Sequence, residues 1–563
     1  MAADPNNAVF FPATLLFLVR PFSSGARAAH LLWAEAFALL SFAALRKLSL
    51  TRFSAAVCAF ALAVSGPAMT LASLPTTAWS VALFLPLLSA WGAPSGVAGG
   101  ALIFGLVILS GEPAIAGEVL FLALAFRLLE RRGRWKAAAG AALAGAAMAM
   151  PQIAGAAGLI GDTVRRGGLA VASGAAFYSV RPLRFLAFVW PGLFGDVHAA
   201  TANGFWGSAF FDAGTPYIST LAVGMATLAL LPAAARRRRG RALLTLAAIA
   251  ALLSLGRYLP GGDRLLSLPG LSLVRYPEKW LFFSAVCAIA AAGFGLDRVR
   301  SGDRVAIRRV AVAGASMAAA SGIAALLVRL APVRAWSAIV GSRIADGSLA
   351  PARSAILDAI GRELSTAAAL SGVLFIAAAG FARRPRRLAG ALALILLADL
   401  VPRTWNSVPL APASQFDDPP EAVRAVAARG GRFYFDGETE VAADPLRPMA
   451  PTMAGVAFAG NNDIDRFSPR RSFLFGRAVA SLPLSDPRKA GLLRLADVRS
   501  VSSISPPSAG LEPWFATSPY RTVYRLAGGE RFRLFPAATS AAGEEEARAL
   551  LVDPRRDPVA DLV

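Results

Sequence analysis

The chain has 563 residues, of which 56% are hydrophobic and 16% are charged. Since about a quarter of the residues in an ordinary soluble domain are charged, this composition excludes a soluble globular protein. The 57 Lys and Arg exceed the 35 Asp and Glu by 22, which on a soluble chain would indicate nucleic-acid binding. Most of this excess lies in short loops between apolar runs, so the sequence indicates a membrane protein with no nucleic-acid partner.

Cysteine and histidine are too scarce for a disulfide framework or a His-rich metal centre. Cys58 and Cys287 are the only cysteines, and His30 and His198 are the only histidines. The sequence has no P-loop, no G-x-S-x-G elbow, no H-E-x-x-H motif and no dinucleotide-binding glycine pattern. An ATP-driven pump and a cytoplasmic nucleotide-sugar enzyme are therefore disfavoured.

Apolar runs of about 15 to 25 residues predict membrane-spanning helices, because about 20 residues cross a ~30 Å hydrocarbon layer. Twelve such helices are predicted, at 28–45, 53–73, 79–92, 97–111, 114–127, 137–160, 217–235, 241–256, 278–296, 310–331, 364–382 and 389–405. The three between 79 and 127 are short enough to be tilted or re-entrant, which gives a range of ten to twelve. Residues 1–27 precede the predicted transmembrane domain, 28–405, and include an interfacial segment at 8–22.

The loops on alternate sides of these helices differ sharply in charge. Five short loops hold 22 Lys and Arg and only three acids, Glu130, Asp297 and Asp303. The positive-inside rule predicts that these loops are cytoplasmic. The longer connections 161–216, 257–277 and 332–363 and both termini are then extracytoplasmic. We expect a multi-pass protein of the bacterial cytoplasmic membrane, in contact with membrane lipids.

Residues 406–563 contain no spanning run and carry 19 basic and 19 acidic side chains. They are predicted to form a soluble extracytoplasmic domain of α/β or α+β type. The pattern PPEAVRAVAARGG predicts a helix, and RFYFD after it predicts a strand. In RTVYRLAGGERFRLF, two strand-like runs surround a Gly-Gly turn.

Ionisable residues at membrane depth are costly, which makes them functional candidates by default. The predicted spans place Glu35, Glu118, Arg329 and Asp399 at such depths, and Glu35 is the most central. The structural alternative is that the acids pair with a neighbouring helix and that Arg329 extends to the interface.

The predicted extracytoplasmic loop FGDVHAATANGFWGSAFFDAGTPY, at 194–217, is dense in polar and aromatic side chains. Aromatic faces stack on sugar C–H groups and polar groups bind hydroxyls, so this composition is typical of a sugar site, although a well-packed loop can share it. A carboxylate here would serve as general base toward an acceptor hydroxyl, or would bind a divalent metal ion that bridges a diphosphate. The candidate residues are Asp196, His198, Asn203, Trp206, Asp212 and Tyr217.

The stretch LPGLSLVRYPEKWLFF, at 268–283, predicts an anion site at the outer mouth of the ninth span. Pro277 is expected in the first helical turn, where its missing N–H is tolerated. Arg275 and Lys279 beside a helix N-terminus suit a lipid phosphate, with Tyr276 as a substrate contact. The alternative is an interfacial anchor that holds the helix at headgroup level.

Several segments taken together resemble bacterial YfhO-like membrane proteins, which are similar to the GT-C glycosyltransferases. The segments are ADPNNAVFFPATLLFL, RKLSLTRFSAAVCAFALAVSG, PGLFGD with FWGS and PYIS, LPGLSLVRYPEKWLFF, and TMAGVAFAGNNDIDRFSPRR with YRTVYRL. The most specific element is RYPEKW after LPGL. The resemblance implies a polyprenyl-phosphate-linked sugar as donor and a cell-envelope glycan or polymer as acceptor, on the outer face.

The chain departs from that family at its start. GT-C enzymes generally carry their catalytic carboxylate in the first extracytoplasmic loop, after a first spanning helix. Here Asp4 is the only acid before Glu35, so we expect that this helix and most of the loop are missing from the sequence. The candidate catalytic bases are Asp4, Asp196 and Asp212.

Two other functions remain open at this point. A transporter or lipid flippase would use the intramembrane Glu35 and Asp399 as a substrate or proton path. A non-catalytic envelope-assembly protein would keep the GT-C-like frame without its first loop.

Overall fold

Helices make up most of the chain, and a small sheet lies near its C-terminus. The computed structural model describes residues 10–91, 96–130, 135–160, 162–163, 175–197, 206–207, 211, 215–268, 275–339, 353–405, 413–436, 446, 455–459, 470–507, 510–518, 521–527, 541 and 544–553. The chain divides into two units. The first comprises Met1–Val19, Gly25–Ala156 and Gly168–Leu410, and the second comprises Arg20–Ser24, Ala157–Gly167 and Ala411–Val563.

Seventeen described α-helices precede residue 406, and each of the twelve predicted spans overlaps at least one of them. They are α1 (Phe22–Lys47), α2 (Arg52–Ala63), α3 (Gly66–Leu71), α4 (Pro75–Ala82), α5 (Phe84–Ala90), α6 (Gly96–Leu109), α7 (Pro113–Leu129), α8 (Trp135–Met148), α9 (Met150–Ile160), α10 (Met225–Ala234), α11 (Arg238–Ser254), α12 (Gly262–Leu266), α13 (Trp280–Arg300), α14 (Arg304–Leu330), α15 (Pro332–Ile339), α16 (Arg353–Gly380) and α17 (Pro385–Thr404). Residues Pro12–Leu18, in the predicted interfacial segment, form a 3₁₀-helix.

The chain is a polytopic α-helical membrane protein. Among the described residues, four helical segments are long and apolar enough to cross a membrane, namely α1, Pro277–Arg300, α14 and α16. Helices α8 and α9 meet at a 74° bend and would make a fifth span if counted together. The remaining apolar helices are shorter, so the total of ten to twelve spans stays a prediction.

The helix predicted at 217–235 begins later than its apolar run. The structure starts α10 at Met225, and residues 217–224 are not helical. The backbone N–H groups of Tyr217 and Ile218 are bound by a side-chain carboxylate, and Gly224 has a φ of 87°. Hydropathy reports only that this segment is buried, because it does not distinguish extended from helical backbone.

Helix α13 forms the centre of the membrane unit. It packs against α2, α10 and α11, and 83% of its most apolar stretch is buried. Gly295 permits the contact with α10, since a Cβ atom there would lie 2.4 Å from the carbonyl oxygen of Leu230. The residues at the N-terminal end of α13 are therefore held by a closely packed frame.

The three acids of the basic loops connect those loops to one another or cap a helix. Glu130 binds Arg127 Nη1 at 2.6 Å and Arg239 Nε at 2.8 Å. Asp297 accepts the backbone N–H of Thr51 at 3.0 Å and its hydroxyl at 2.5 Å. Asp303 caps α14. Arg239 also donates to the carbonyl of Leu48 at 2.9 Å, so four of the five loops predicted to be cytoplasmic meet at one end of the membrane unit.

The second unit contains a five-stranded mixed sheet. Its strands are β1 (Arg432–Phe435), β2 (Ala457–Ala459), β3 (Val498–Ser503), β4 (Leu511–Ser518) and β5 (Arg521–Leu526), in the order β2-β1-β3-β5-β4. β1 is parallel to β2 and β3, whereas β5 is antiparallel to β3 and β4. The described helices of this part of the chain are α18 (Ser414–Asp417), α19 (Glu421–Arg429), α20 (Arg470–Ser481), α21 (Pro487–Leu495) and α22 (Glu544–Leu551).

The prediction of a mixed α/β domain is confirmed. The helix-like run before RFYFD forms α19, and RFYF forms β1. The first run of RTVYRLAGGERFRLF forms β5, whereas the second lies outside the described residues.

A buried polar group follows β1: the carboxylate of Asp436 binds the Lys489 ammonium and accepts the Ser503 hydroxyl at 2.8 Å. Because these charges are paired, the group is a structural part of the domain.

Candidate anion site at the start of helix α13

The structure confirms that Pro277 lies in the first turn of the ninth predicted span. Pro277–Lys279 form a 3₁₀ turn that continues directly into α13. Tyr276 precedes this turn with a φ of 63°, a left-handed conformation that is rare for a bulky residue. Backbone strain of this kind persists only where the surroundings hold it, and it occurs often at functional sites.

The Lys279 ammonium is held by an acid and by two aromatic rings. It forms an ion pair with Glu112, the residue that precedes α7, and Thr77 donates its hydroxyl to the other oxygen of Glu112. Its Nζ atom lies 5.1 Å from the ring centre of Tyr217 and 4.8 Å from that of Tyr276. Both distances are within the range of cation–π attraction. Lys279 is only 4% exposed, so these contacts are made away from water.

Arg275 extends the same cluster. Its side chain is 5% exposed, and its Cζ atom lies 4.5 Å from the ring centre of Tyr276. The ring of Tyr276 stacks on that of Tyr217 at 5.3 Å and meets the edge of Tyr178 at 4.9 Å. Two buried cations thus lie together with the buried Tyr276 and the half-buried Tyr178 and Tyr217, and we call this group the tyrosine-cation cluster.

Glu278 joins the two segments that the sequence singled out. Its Oε2 atom accepts the backbone N–H of Tyr217 at 2.8 Å, and Oε1 accepts that of Ile218 at 3.2 Å. Its own backbone N–H donates to the carbonyl of Tyr178 at 3.1 Å. The end of the predicted sugar loop and the predicted phosphate motif are therefore in direct contact.

Arg184 binds the same segment that Glu278 binds. It donates from Nη2 to the carbonyl of Ile218 at 2.8 Å, and its Cζ atom is 5.0 Å from the ring centre of Phe211. Burial lowers the pKa of Arg184, and the nearby Glu278 carboxylate partly opposes that effect. Burial also raises the pKa of Tyr178, so its hydroxyl is neutral at neutral pH.

The described charged groups of the site do not cancel. Arg184, Arg275 and Lys279 are basic, whereas Glu112 and Glu278 are acidic, which leaves one formal positive charge. Charges interact more strongly in a buried, weakly polar region than in water. These three basic side chains lie close together at the start of α13, in a region largely closed to water.

Of the other predicted catalytic and substrate-binding residues, the structure describes only Asp196 and Trp206. Asp196 is exposed. Trp206 is 6% exposed and donates its indole N–H to the carbonyl of Leu193 at 3.0 Å, so in this structure its ring is packed inside the loop. Their roles in substrate binding stay predictions. The other candidates, Asp4, His198, Asn203 and Asp212, lie outside the described residues.

The intramembrane acids occupy different environments. Asp399 accepts the backbone N–H of Met225 at 2.7 Å and binds Arg403 Nε at 2.6 Å. Arg403 also binds Glu363, with Nη1 at 2.5 Å from Oε1. Asp399 therefore holds the first turn of α10. Glu35, in contrast, is exposed on α1.

Four residues of the site were not singled out from the sequence: Glu112, Tyr178, Arg184 and Glu278. Glu278 lies inside the RYPEKW motif, so its neighbours Arg275 and Lys279 could have suggested it. The other three come from distant segments, and no local pattern marks them. Among the residues that the structure describes, no group of three or more His, Cys, Asp and Glu side chains is arranged to hold a metal ion.

Comparisons with known proteins give one structural similarity. The crystal structure of ArnT from Cupriavidus metallidurans, bound to undecaprenyl phosphate, matches with a TM-score of 0.44 and 13% sequence identity. The match covers 93% of this chain and 88% of that one. No protein-family model matches the chain, and no curated protein matches it.

Proposed function

We propose that the chain is a GT-C-like membrane glycosyltransferase. It transfers a sugar from a polyprenyl-phosphate donor to a cell-envelope glycan or polymer on the extracytoplasmic face. The proposal rests on the sequence resemblance to YfhO-like proteins and on the chemistry of the tyrosine-cation cluster.

The main support for the proposal is the contact between the segment of Tyr217 and the segment of Arg275 and Lys279 at the start of α13. Arg275 and Lys279 supply positive charge, and Glu278 fixes the backbone of Tyr217 beside them. The site therefore combines a charge suited to a phosphate with tyrosine rings and hydroxyls suited to a sugar. A glycosyl phosphate carries both groups on neighbouring atoms.

In this proposal, Arg275 and Lys279 bind the donor phosphate. They also stabilise the charge that builds up on the phosphate as the glycosidic bond breaks. The 194–217 loop binds the acceptor. The base that deprotonates the acceptor hydroxyl is Asp4, Asp196 or Asp212. Asp196 is exposed, as a group that meets an incoming acceptor must be.

The test is transfer from a polyprenyl-phosphate sugar by the full-length protein in liposomes. The double variant Arg275→Ala with Lys279→Ala should lose at least about 100-fold in rate, as expected when two charge-assisted contacts to a phosphate are removed. Arg264→Ala is the matched control, because Arg264 is an exposed basic residue in the same predicted outer connection. The control should keep the wild-type rate.

Loss of the fold must be separated from loss of phosphate binding. Polyprenyl phosphate without a sugar should raise the unfolding temperature of the wild type and of the Arg264→Ala variant, but not that of the double variant. Unchanged transfer by a double variant that remains folded would show that the phosphate lies elsewhere.

A further inference from the structure

Among the residues that the structure describes, none covers one face of helix α1 along the length of the span. Leu31, Leu32 and Leu39 are 63%, 45% and 68% exposed, although the opposite side of the helix carries the buried Trp33 and Phe37. The exposed positions recur every three or four residues, which places them on one side of an α-helix. We call this the Glu35 face; its members are Ala28, Leu31, Leu32, Glu35, Leu39 and Ala43.

Glu35 lies deep within this span. Arg27 and Arg46 are 19 residues apart on α1, about 28 Å at ~1.5 Å per residue, which matches the ~30 Å thickness of the hydrocarbon layer. Glu35 is eight residues from Arg27 and eleven from Arg46, or about 12 Å and about 16 Å along the axis. A glutamate side chain has only two methylene groups and cannot reach either interface.

The carboxyl group of Glu35 has no recorded partner within the part of the chain that the structure describes. The acids Asp399 and Glu112 show the contrast, since each is bound by a cation and by a second donor. A carboxyl group without a hydrogen bond is strongly disfavoured in hydrocarbon, as are all unsatisfied polar groups at that depth. The surrounding leucines indicate lipid at this face, not a water-filled cavity.

We infer that the Glu35 face is the interface with a second copy of this chain, in which the two Glu35 carboxyl groups bind each other. In its acid form a carboxyl group offers one donor and several acceptor positions, so the same residue on another copy is its hydrogen-bonding complement. A two-fold axis parallel to the membrane normal brings identical depths together, because a twofold interface pairs the same surface on both subunits.

The composition of the face supports this occupant. Polar side chains associate spanning helices in lipid, and small residues allow their backbones to approach closely. Ala28 and Ala43 lie on the same face, toward its two ends, and the leucines between them supply apolar contact. A partner of another kind would have to bring its own donor to this depth, whereas a second copy already carries one.

The inference is tested by disulfide cross-linking of the purified full-length protein in phosphatidylethanolamine and phosphatidylglycerol vesicles. Leu39→Cys places a thiol one turn from Glu35. Leu394→Cys on α17 is the matched control, because that side chain is also 68% exposed and lies midway along an apolar helix. The native Cys58 and Cys287 are buried and should give no background.

The Leu39→Cys protein should form a cross-linked dimer at least about tenfold faster than the Leu394→Cys protein. Adding Glu35→Leu should abolish that difference, whereas Glu35→Gln, which keeps a donor and an acceptor, should preserve most of it. The thermal unfolding midpoint of both Glu35 variants, measured in the same vesicles, shows whether the fold is intact.

Three results would overturn the inference. The first is equal cross-linking at the two positions, which indicates random collision. The second is unchanged cross-linking in a folded Glu35→Leu protein. The third is a single photobleaching step per labelled particle at all protein-to-lipid ratios, which indicates a monomer whose Glu35 face is covered by lipid or by a different protein.

Discussion

The carboxylate of Glu278 accepts the backbone N–H of Tyr217 at 2.8 Å, although 61 positions separate the two residues. The same carboxylate faces the buried Arg184. One acid therefore satisfies backbone donors on one segment and a cation on another. The position of Tyr217 in the tyrosine-cation cluster therefore depends on Glu278.

Replacing Glu278 by alanine should strongly destabilise the membrane unit. The change leaves two backbone N–H groups and the Arg184 charge without their carboxylate, which costs about 3 to 5 kcal/mol. Glu278→Gln keeps an acceptor oxygen and should cost about 1 to 2 kcal/mol. The free energy of unfolding in mixed micelles measures both. An alanine variant as stable as the glutamine variant would contradict the anchoring role, and the exposed Asp263→Ala variant serves as control.

The pairing of Lys279 with Glu112 predicts an unequal effect of single and double substitutions. Lys279→Met leaves the Glu112 carboxylate without its cation and should cost about 3 kcal/mol of stability. Adding Glu112→Gln removes the remaining charge and should restore most of that loss. Transfer activity should stay lost in the double variant, because the phosphate contact is not replaced. Recovery of activity together with stability would assign Lys279 a structural role only.

Gly295 should be far less tolerant of alanine than a helical glycine that has open space around it. A Cβ atom at Gly295 would meet the carbonyl oxygen of Leu230 at 2.4 Å, and two helix backbones cannot separate without cost. We expect a loss of about 1 to 3 kcal/mol in the free energy of unfolding. Gly372 in α16 has open space around it, so Gly372→Ala should be neutral or stabilising by up to about 1 kcal/mol. Equal effects at the two positions would refute the close contact between α10 and α13.

Asp399 should act on stability and not on substrate binding. Its two oxygens hold the backbone of Met225 and the side chain of Arg403, so Asp399→Asn should cost about 1 to 2 kcal/mol. The KM for the lipid-linked sugar should not change, and proton flux into vesicles should be absent in both proteins. A flux that vanished in the variant would favour the transporter interpretation. Asp358→Asn, at an exposed acid on α16, is the control.

Helix α21 should lose stability in acid because of its N-cap. A side-chain hydrogen bond from Arg488 to Asp486, together with the backbone N–H of Arg488, holds the pKa of Asp486 below its usual 3.8. The charged form is the one that is stabilised, so the contribution is complete at neutral pH and is lost as pH falls through the lowered pKa. Asp486→Asn should remove this dependence, which is worth about 1 kcal/mol.

Hydrogen exchange of the α21 amides in the full-length protein, followed from about pH 7 down to about pH 3, measures that contribution. Exchange rates must be corrected for their intrinsic dependence on pH. The same acid-induced loss of protection in the wild type and the asparagine variant would show that Asp486 is not responsible.

Local patterns in the sequence predicted much of this fold. Hydropathy located the helices because burial in lipid needs a continuous apolar run, and the sequence before RFYFD predicted α19 and β1. Residues 217–224 were the main departure. The Glu278 carboxylate accepts hydrogen bonds from two backbone N–H groups of this segment. The apolar sequence of 217–224 does not reveal those hydrogen bonds.

The candidate site was only half predictable for the same reason. Arg275, Tyr276 and Lys279 lie within five positions, so their chemistry can be read as one motif. Glu112 is 167 positions from Lys279, and a single acid next to a proline has no distinguishing pattern. Tertiary packing decides which charges pair when they are so far apart along the chain. A single sequence does not reveal that packing.

The basic end of the membrane unit has few carboxylates of its own. Three acids stand among 22 Lys and Arg, and Glu130 already serves two arginines. Among the described residues, carboxylates therefore supply counterions to only a few of these cations. Anionic phospholipid headgroups are the counterions at hand, and each is attracted by about 1 kcal/mol per nearby cation. We therefore expect the protein to be more stable in membranes that contain anionic lipid than in a neutral detergent, which supplies no such counterions.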